Sequence, residues 1–309
     1  MSFFRSPTFA ALAFLVYLSP SLAGGEEADP ALTAKWLYSH DSDEFDEYRI
    51  SAGYEYANGF GVSANAAHYS APGWSATGRG VAATYAQRNA SRNLEATLGV
   101  TRTKDHQALA GSLDYIEHLT KDTGLGFSLE RDVVDSVQSI DQGIHYTALM
   151  LVAEHDFTPR FSVGAAAGQT WFSDHNRRPI LRTRWNYELI QDSGFSTYLK
   201  TRHYKNSHAY QGNYYAPEKL GEASIGLFWR TALGDQMVFF AGGDAGRQRT
   251  EDNHQSIWSL QAGLQAPRRA PVQWRVALEK SNYTSSLSNQ PDESYRYFSL
   301  TGYLLFPLR

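Results

Sequence analysis

Residues 47–73, EYRISAGYEYANGFGVSANAAHYSAPG, alternate in polarity with a period of two. Counting every second residue from Tyr48 gives Tyr48, Ile50, Ala52, Tyr54 and Tyr56, with Arg49, Ser51, Gly53 and Glu55 between them. Asn58-Gly59 then offers the two positive-φ positions of a tight hairpin turn, and a second alternating run follows at Phe60, Val62, Ala64 and Ala66. This is a long antiparallel hairpin with one apolar and one wet face. Water-soluble sandwiches and membrane barrels both use such hairpins.

The pattern continues along the chain. Alternating runs begin near Leu32, Tyr48, Phe60, Gly80, Leu94, Leu109, Leu125, His145, Phe161, Ile180, Phe195, Leu220, Met237, Ile257, Val272 and Tyr295, sixteen in all. Most are about ten residues long, the length a tilted strand needs to cross a bilayer. The apolar sets are consistent, for example Leu94, Ala96, Leu98 and Val100, or Ala223, Ile225, Leu227 and Trp229, with Glu95, Thr97, Glu222 and Ser224 between them. Short connections such as ANG, FTPR, QDSG and LGDQ take turns with generally longer ones such as DSDEFD, DVVDSVQSIDQG, KNSHAYQGNYYAPEK and SNYTSSLSNQPDES. Seven turns and eight loops fit an all-β, closed transmembrane antiparallel barrel of about 16 strands, with both termini on the turn side. In hydrocarbon every backbone N–H and C=O must be paired within the protein, which strands achieve only by closing into a ring. The tyrosines are therefore expected to face lipid or its interfaces.

Composition agrees with this architecture. The 309 residues hold Lys+Arg 28 against Asp+Glu 32, so no basic excess points to a nucleic-acid partner. Tyr 19, Phe 16, Trp 7 and Gly 25 suit aromatic girdles and tight turns, and the mean hydropathy of -0.44 fits strands that are apolar on one face only. Arg5, the apolar core from Phe9 to Leu18 and the small residues Ser21 and Ala23 read as a secretory signal over residues 1–23. Residues 24–31 are then a short periplasmic leader and residues 32–309 the barrel. There is no cysteine, so no disulfide framework holds the exported chain.

Several groups of residues bear on function. Arg182, Arg184, Lys200, Arg202 and Arg230 fall on the inward face of three neighbouring strands, against Glu188 and Glu222. A basic stripe along a lumen focuses its field on an anionic or hydroxyl-rich passenger. The plainer alternative pairs these cations with Glu95, Glu130, Glu154, Glu279 and Asp244 and ties the barrel together. His145, His155, His203, His208 and Ser207 show no spacing of a hydrolytic pair, so no reaction is expected. The acidic run Asp41, Asp43, Glu44, Asp46 and Glu47 lacks the glycine and spacing of a calcium loop, so no metal and no cofactor is expected.

The longest loop leads into GNYYAPEKLGEASIGLFWR, residues 212–230. Tyr214, Tyr215, Ala216 and Pro217 resemble the aromatic-aromatic-small-Pro element that precedes a strand in the C-terminal barrels of exopolysaccharide exporters, the cellulose and poly-N-acetylglucosamine secretion porins. Pro217 fixes φ and biases Ala216 toward extended geometry, while tyrosine rings stack well on sugars. The resemblance implies an outer-membrane, porin-like conduit associated with polysaccharide export and biofilm, with Tyr214, Tyr215 and Pro217 as sugar-stacking candidates. Those exporters carry tetratricopeptide repeats before the barrel, for which about eight residues stand here, so a periplasmic scaffold protein is an implied partner. Outer-membrane lipid and lipopolysaccharide are the others. The terminal aromatic, Phe306, stands three residues from the end. The alternative function is a structural, adhesive or receptor barrel with a plugged lumen and partner-binding loops.

Overall fold

Alternating side chains along each run place one row on each face of a pleated sheet, and a computed structural model shows that sheet closed on itself. It describes residues 29–89, 91–283 and 295–308, so the expected signal over 1–23 and most of the leader lie outside the described residues. The strands are β1 (Ala31–Asp41), β2 (Asp46–Glu55), β3 (Phe60–Ala71), β4 (Trp74–Arg88), β5 (Arg92–Thr103), β6 (His106–His118), β7 (Thr123–Val133) and β8 (His145–Thr158). They continue as β9 (Phe161–Phe172), β10 (Arg177–Ile190), β11 (Phe195–Lys205), β12 (Lys219–Leu233), β13 (Met237–Arg249), β14 (His254–Gln265), β15 (Gln273–Ser281) and β16 (Tyr297–Pro307). Each pairs antiparallel with its sequence neighbours, and β1 pairs with β16 from Ala31↔Pro307 to Asp41↔Tyr297. One short helix, α1 (Val137–Gln142), lies between β7 and β8, capped by Ser136 and ended by a left-handed Gly143.

The apolar rows face outward. Ile50, Val81, Leu98, Leu151, Ile225 and Leu260 are exposed along the strands, while Glu47, Glu95, Asp114, Arg182, Glu222 and Asp244 are buried on the other face. Toward the end with the shorter turns, the outward face carries an aromatic girdle. Phe60 packs on Tyr85 with ring centroids 4.8 Å apart, Phe157 on Phe161 at 5.5 Å and Trp229 on Phe239 at 5.9 Å. The expectation that the tyrosines as a class face lipid holds only in part. Tyr48, Tyr56 and Tyr187 do, but Tyr69, Tyr146, Tyr198, Tyr204, Tyr295 and Tyr297 are buried in the lumen. A hydroxyl there finds acceptors that hydrocarbon lacks: Tyr146 donates to Glu130 Oε1 (2.8 Å) and Tyr198 to Asp244 Oδ2 (3.0 Å).

Two further expectations are corrected. Asn58 does not take a positive φ; Gly59 alone does, at 83°, and Tyr56 and Phe60 close the turn, with Asn58 Oδ1 accepting from Phe60 N (3.2 Å). This is a three-residue hairpin loop, which needs only one left-handed position. The fourth strand starts at Trp74, well before Gly80, because Pro72-Gly73 suffices to turn the chain. The outer β3–β4 and β5–β6 connections are therefore as tight as the turns at the other end, and the long connections are β7–β8, β11–β12 and β15–β16.

At the seam, Trp36 of β1 lies over Gly302 of β16, its Cα partner; a Cβ on Gly302 would collide with the indole carbons of Trp36. We expect Gly302→Val to push the indole off the seam and to cost about 1–3 kcal/mol by overpacking. The check is the temperature at which the folded band converts to the unfolded one on a detergent gel, which should fall; an unchanged midpoint would show that the Trp36–Gly302 contact contributes nothing to closure.

Candidate functional site

The inward rows divide the lumen into walls of different chemistry. On β10 and β11, Arg178, Arg182, Arg184, Lys200 and Arg202 all point inward. Arg182 and Arg202 are direct register partners, as are Arg184 and Lys200, so cations face cations across two strands. Neighbouring carboxylates offset part of this charge. Arg202 binds Glu222 in a bidentate pair at 2.6 and 2.7 Å, and Lys200 Nζ lies 2.7 Å from Asp244 Oδ2. Arg184 stacks its guanidinium 3.9 Å from the centroid of Tyr198 and donates to Asn186 Oδ1 (2.8 Å). Arg230 is also inward but sits six residues beyond Ser224 along β12, roughly 20 Å toward the turn end, and so is not part of the cluster.

Elsewhere around the ring the sign reverses. Glu47, Glu95, Asp114 and Glu130 are inward on β2 and β5–β7, with Arg49 among them. In a ring of sixteen, β2 stands eight strands from β10 and so faces it, whereas β5–β7 lie three to five strands from β10 and flank the basic wall on one side. Between them β8, β9 and the start of β10 present Met150, Val152, Ala166 and Ile180, which join Tyr204, Tyr215 and Leu220 in an apolar cluster.

The outer mouth is crossed by a lid of two pieces. The first is the β7–β8 connection with α1. Arg49 reaches up from β2 to Asp132 Oδ2 (3.2 Å) and Asp135 Oδ1 (2.5 Å), and also contacts Glu47. Ile140 packs on Tyr69 and Ala76. Asp141 accepts from Lys104 Nζ (2.6 Å) and Trp74 Nε1 (2.9 Å), and the ammonium holds its carboxyl below the ordinary aspartate range. The second piece is the β11–β12 connection, residues 206–218, which turns into the barrel. Tyr214 stacks on Phe172 with centroids 4.6 Å apart, and its hydroxyl donates to Asp174 (3.1 Å) and accepts from Asn176 (3.1 Å). Tyr215 is only 8% exposed and its hydroxyl accepts from Gln248 Nε2 (3.2 Å); Asn206 Nδ2 donates to Pro217 O (2.6 Å). The faces of both candidate tyrosines are thus engaged inside the protein.

Arg178 anchors the second piece. It is 1% exposed, and donates to Asn206 Oδ1 (2.8 Å) and Tyr215 O (2.9 Å) beneath the rings of Tyr204 and Phe172, at 4.6 and 5.0 Å. Asn213 joins the two pieces: its carbonyl accepts from Ser136 Oγ (2.6 Å) and Ser139 Oγ (3.0 Å), and its Oδ1 from Gln142 Nε2 (2.9 Å). The sequence reading passed over Arg178, although it lies on the face of Arg182 and Arg184, two and three inward steps back. Carrying that alternation past Ile180 would have found it. Nothing local marks Asn213.

The histidines do not converge. His145 and His155 stand near opposite ends of β8, His203 faces outward on β11, and Ser207 Oγ, 3.0 Å from His208 Nδ1, also donates to Asn176 Oδ1. In the acidic loop, Asp41 Oδ1 accepts from the backbone of Asp43 and Phe45, both at 3.0 Å, and so closes its own turn.

No protein-family model matches the chain, and no curated protein matches its sequence. Solved structures share its fold. One described as a bacterial polysaccharide outer membrane secretin superposes with a TM-score of 0.69 at 11% identity, covering 92% of this chain and 99% of that one. CdiB from Acinetobacter baumannii gives 0.50 at 10% identity, over 90% and 60% of the two chains. OccK7 (OpdD) of Pseudomonas aeruginosa gives 0.47 at 8% identity, over 92% and 99%. At such identities the likeness is one of fold. The chain is a sixteen-stranded β-barrel of the Gram-negative outer membrane.

Two outcomes follow for the lid. Arg178→Met keeps the bulk but leaves the Tyr215 carbonyl without its donor, a loss of about 1–3 kcal/mol. Amide exchange over residues 207–216 should quicken about tenfold or more while the β10–β12 amides keep their protection; equal protection in the loop would show that Arg178 does not anchor it. Because the Asp141 carboxyl is held low, the anchoring is complete above pH about 4 and is lost as pH falls through its folded value. Asp141→Asn should therefore show at pH 7 the lowered α1 protection, relative to the intrinsic exchange rate at each pH, that the wild type shows in acid, and its own protection should not fall further on that acidification.

Proposed function

We propose that this barrel is a porin-like conduit associated with exopolysaccharide export, with its outer mouth closed at rest by the lid. The observation that carries this reading is the Tyr-Tyr-Ala-Pro loop folded into the lumen against the basic wall. Two features support it. The barrel follows the fold of the polysaccharide secretin along nearly its whole length. The side chains beneath the loop are those that hold a sugar polymer: planar rings at Phe172 and Tyr204 for stacking, and the guanidinium groups of Arg178, Arg182 and Arg184 for hydroxyl or carboxylate oxygens. In this reading, lifting residues 206–218 exchanges the Tyr214–Phe172 stack for a sugar on the same ring. The basic wall on β10 and β11, with the carboxylates of β5–β7 to one side of it, then orients the passenger in the lumen. The chain performs no reaction, and a periplasmic scaffold protein delivers the polymer.

A second reading has one observation in its favour. The lid is bound on both sides by buried contacts, Arg49 with Asp135 on one and Tyr214 with Phe172 on the other, as a permanent plug would be. A barrel of that kind serves as a scaffold or as a receptor for partners at its outer loops.

Planar-bilayer recording separates the two. The conduit predicts small or flickering currents from the full chain and a large stable conductance after deletion of residues 207–216; silence from both would favour the plug. In the deleted form, Arg184→Gln with Arg202→Gln should lower the preference for anions about two- to tenfold, as befits removal of two wall charges in a confined pore. An unchanged preference would remove the basic wall from the account.

A further inference from the structure

On the outward face, one patch breaks the usual rule for cross-strand pairs. Arg79 of β4 and Arg102 of β5 are direct Cα partners, both exposed and both pointing away from the lumen. Like charges set opposite one another destabilise a sheet. Their flanking partners do not relieve this: Arg79 faces Ala66 on β3, and Arg102 faces Gln107 on β6. The nearest carboxylate of Arg102 is Asp105, 3.8 Å away and 84% exposed. Arg79 has no ion-pair partner among the described residues. Two strands beyond Arg102, Arg131 of β7 also faces out. Its Nε and Nη1 donate to Leu109 O (3.1 Å) and Thr147 Oγ1 (2.7 Å), neutral acceptors that fix the guanidinium without balancing its charge.

The depth of the three arginines is the second observation. On each strand the next outward residue toward the membrane centre is an exposed aliphatic: Val81 below Arg79, Val100 below Arg102 and Leu129 below Arg131. All three cations therefore stand at the upper edge of the apolar band, on the side of the lid, where outer-leaflet headgroups meet acyl chains. Strand spacing puts Arg79 beside Arg102, and Arg131 two strands, about 10 Å, further round and, since it pairs with Gly111 where Arg102 pairs with Gln107, roughly 13 Å along the strand direction from that pair.

We propose that Arg79, Arg102 and Arg131 form a binding site for the phosphate groups of an anionic glycolipid of the outer leaflet. One phosphate lies between Arg79 and Arg102 and turns their repulsion into two paired contacts. A second lies on Arg131, and the acyl chains run down Val81, Val100 and Leu129. Guanidinium suits this role because its planar fork presents two donors to a phosphate. The site is independent of the lumen reading, since none of the three side chains faces inward.

The test uses the full-length protein in detergent with diphosphoryl lipid A as probe, and reads the lipid retained per barrel by native mass spectrometry. The wild type should retain it, and the triple variant R79Q/R102Q/R131Q should retain about tenfold less while keeping its heat-modifiable gel migration. If the triple variant does not fold, R79Q/R102Q, which leaves Arg131 on Thr147, should still lose several-fold. Monophosphoryl lipid A should bind the wild type more weakly than the diphosphoryl form, and millimolar inorganic phosphate should not displace either. The proposal is overturned if the variant retains as much lipid as the wild type. It is likewise overturned if R247Q/R249Q, changes to outward cations on β13, lose as much, or if inorganic phosphate strips the lipid and so marks an anion site without lipid preference.

Discussion

Everything in this molecule depends on the pairing of its first strand with its last. Hydrocarbon offers no partner to a backbone amide, so the edge groups of β1 and β16 must satisfy one another, and they do so over the full run from Ala31↔Pro307 to Asp41↔Tyr297. Once the ring is closed, the two-residue period of each strand has only two destinations, lipid or lumen. The outward row is then mainly aliphatic or aromatic across the middle of the band, with cations at its outer edge. The inward row is free to be charged, and its charges are brought together from strands far apart in sequence. Closure also makes strands eight positions apart face one another, and for that reason a lid fastened to β2–β4 on one side and to β9–β12 on the other spans the mouth.

The lumen is stabilised differently from the interior of a soluble domain. Its apolar clusters are small, and most of its contacts are charge-assisted hydrogen bonds or cations against rings. Asp244 accepts from Tyr198, Lys200 and Ser259 through one oxygen and from Tyr283 through the other, and so ties β11, β14 and the β15–β16 connection to β13. Such networks are stable only when every member is satisfied. Register partners of like charge, Arg182 with Arg202 and Arg184 with Lys200, are tolerated because Glu222 and Asp244 stand beside them. A wall held in this way keeps cationic character without leaving a bare buried charge.

Strand number, order and direction were legible because the barrel imposes one rule on every strand. Leu98 and Ile225 read as outward and Glu95 and Glu222 as inward from alternation alone, and so they are. Sequence reading was weakest where the rule stops. Helix α1 has six residues, too few for a 3.6-residue period to show, though Ser136 and Gly143 at its ends are cap residues. Asn58 was assigned the left-handed geometry that Gly59 alone adopts. The tyrosines were sorted by average preference, whereas each follows the parity of its strand: Tyr48 faces out and Tyr198 in. That the loop over residues 205–218 occludes the pore can be expected from the sequence, but the contacts that hold it were not legible, since Arg178, Asn206 and Asn213 act through partners distant in the chain.

The claim on which the account rests is that the two ends of the barrel meet as register partners in the membrane. The chain has no cysteine, so Ser39→Cys with Ser299→Cys places its only two thiols on facing, buried positions of β1 and β16. Facing residues of antiparallel strands stand within the Cα separation a disulfide accepts. In protein inserted into outer membranes, mild oxidation should convert nearly all of the chain to an intramolecular disulfide, read as a faster-migrating band after full denaturation. Thiols that stay reactive, or that link one chain to another, would contradict a ring closed between these strands.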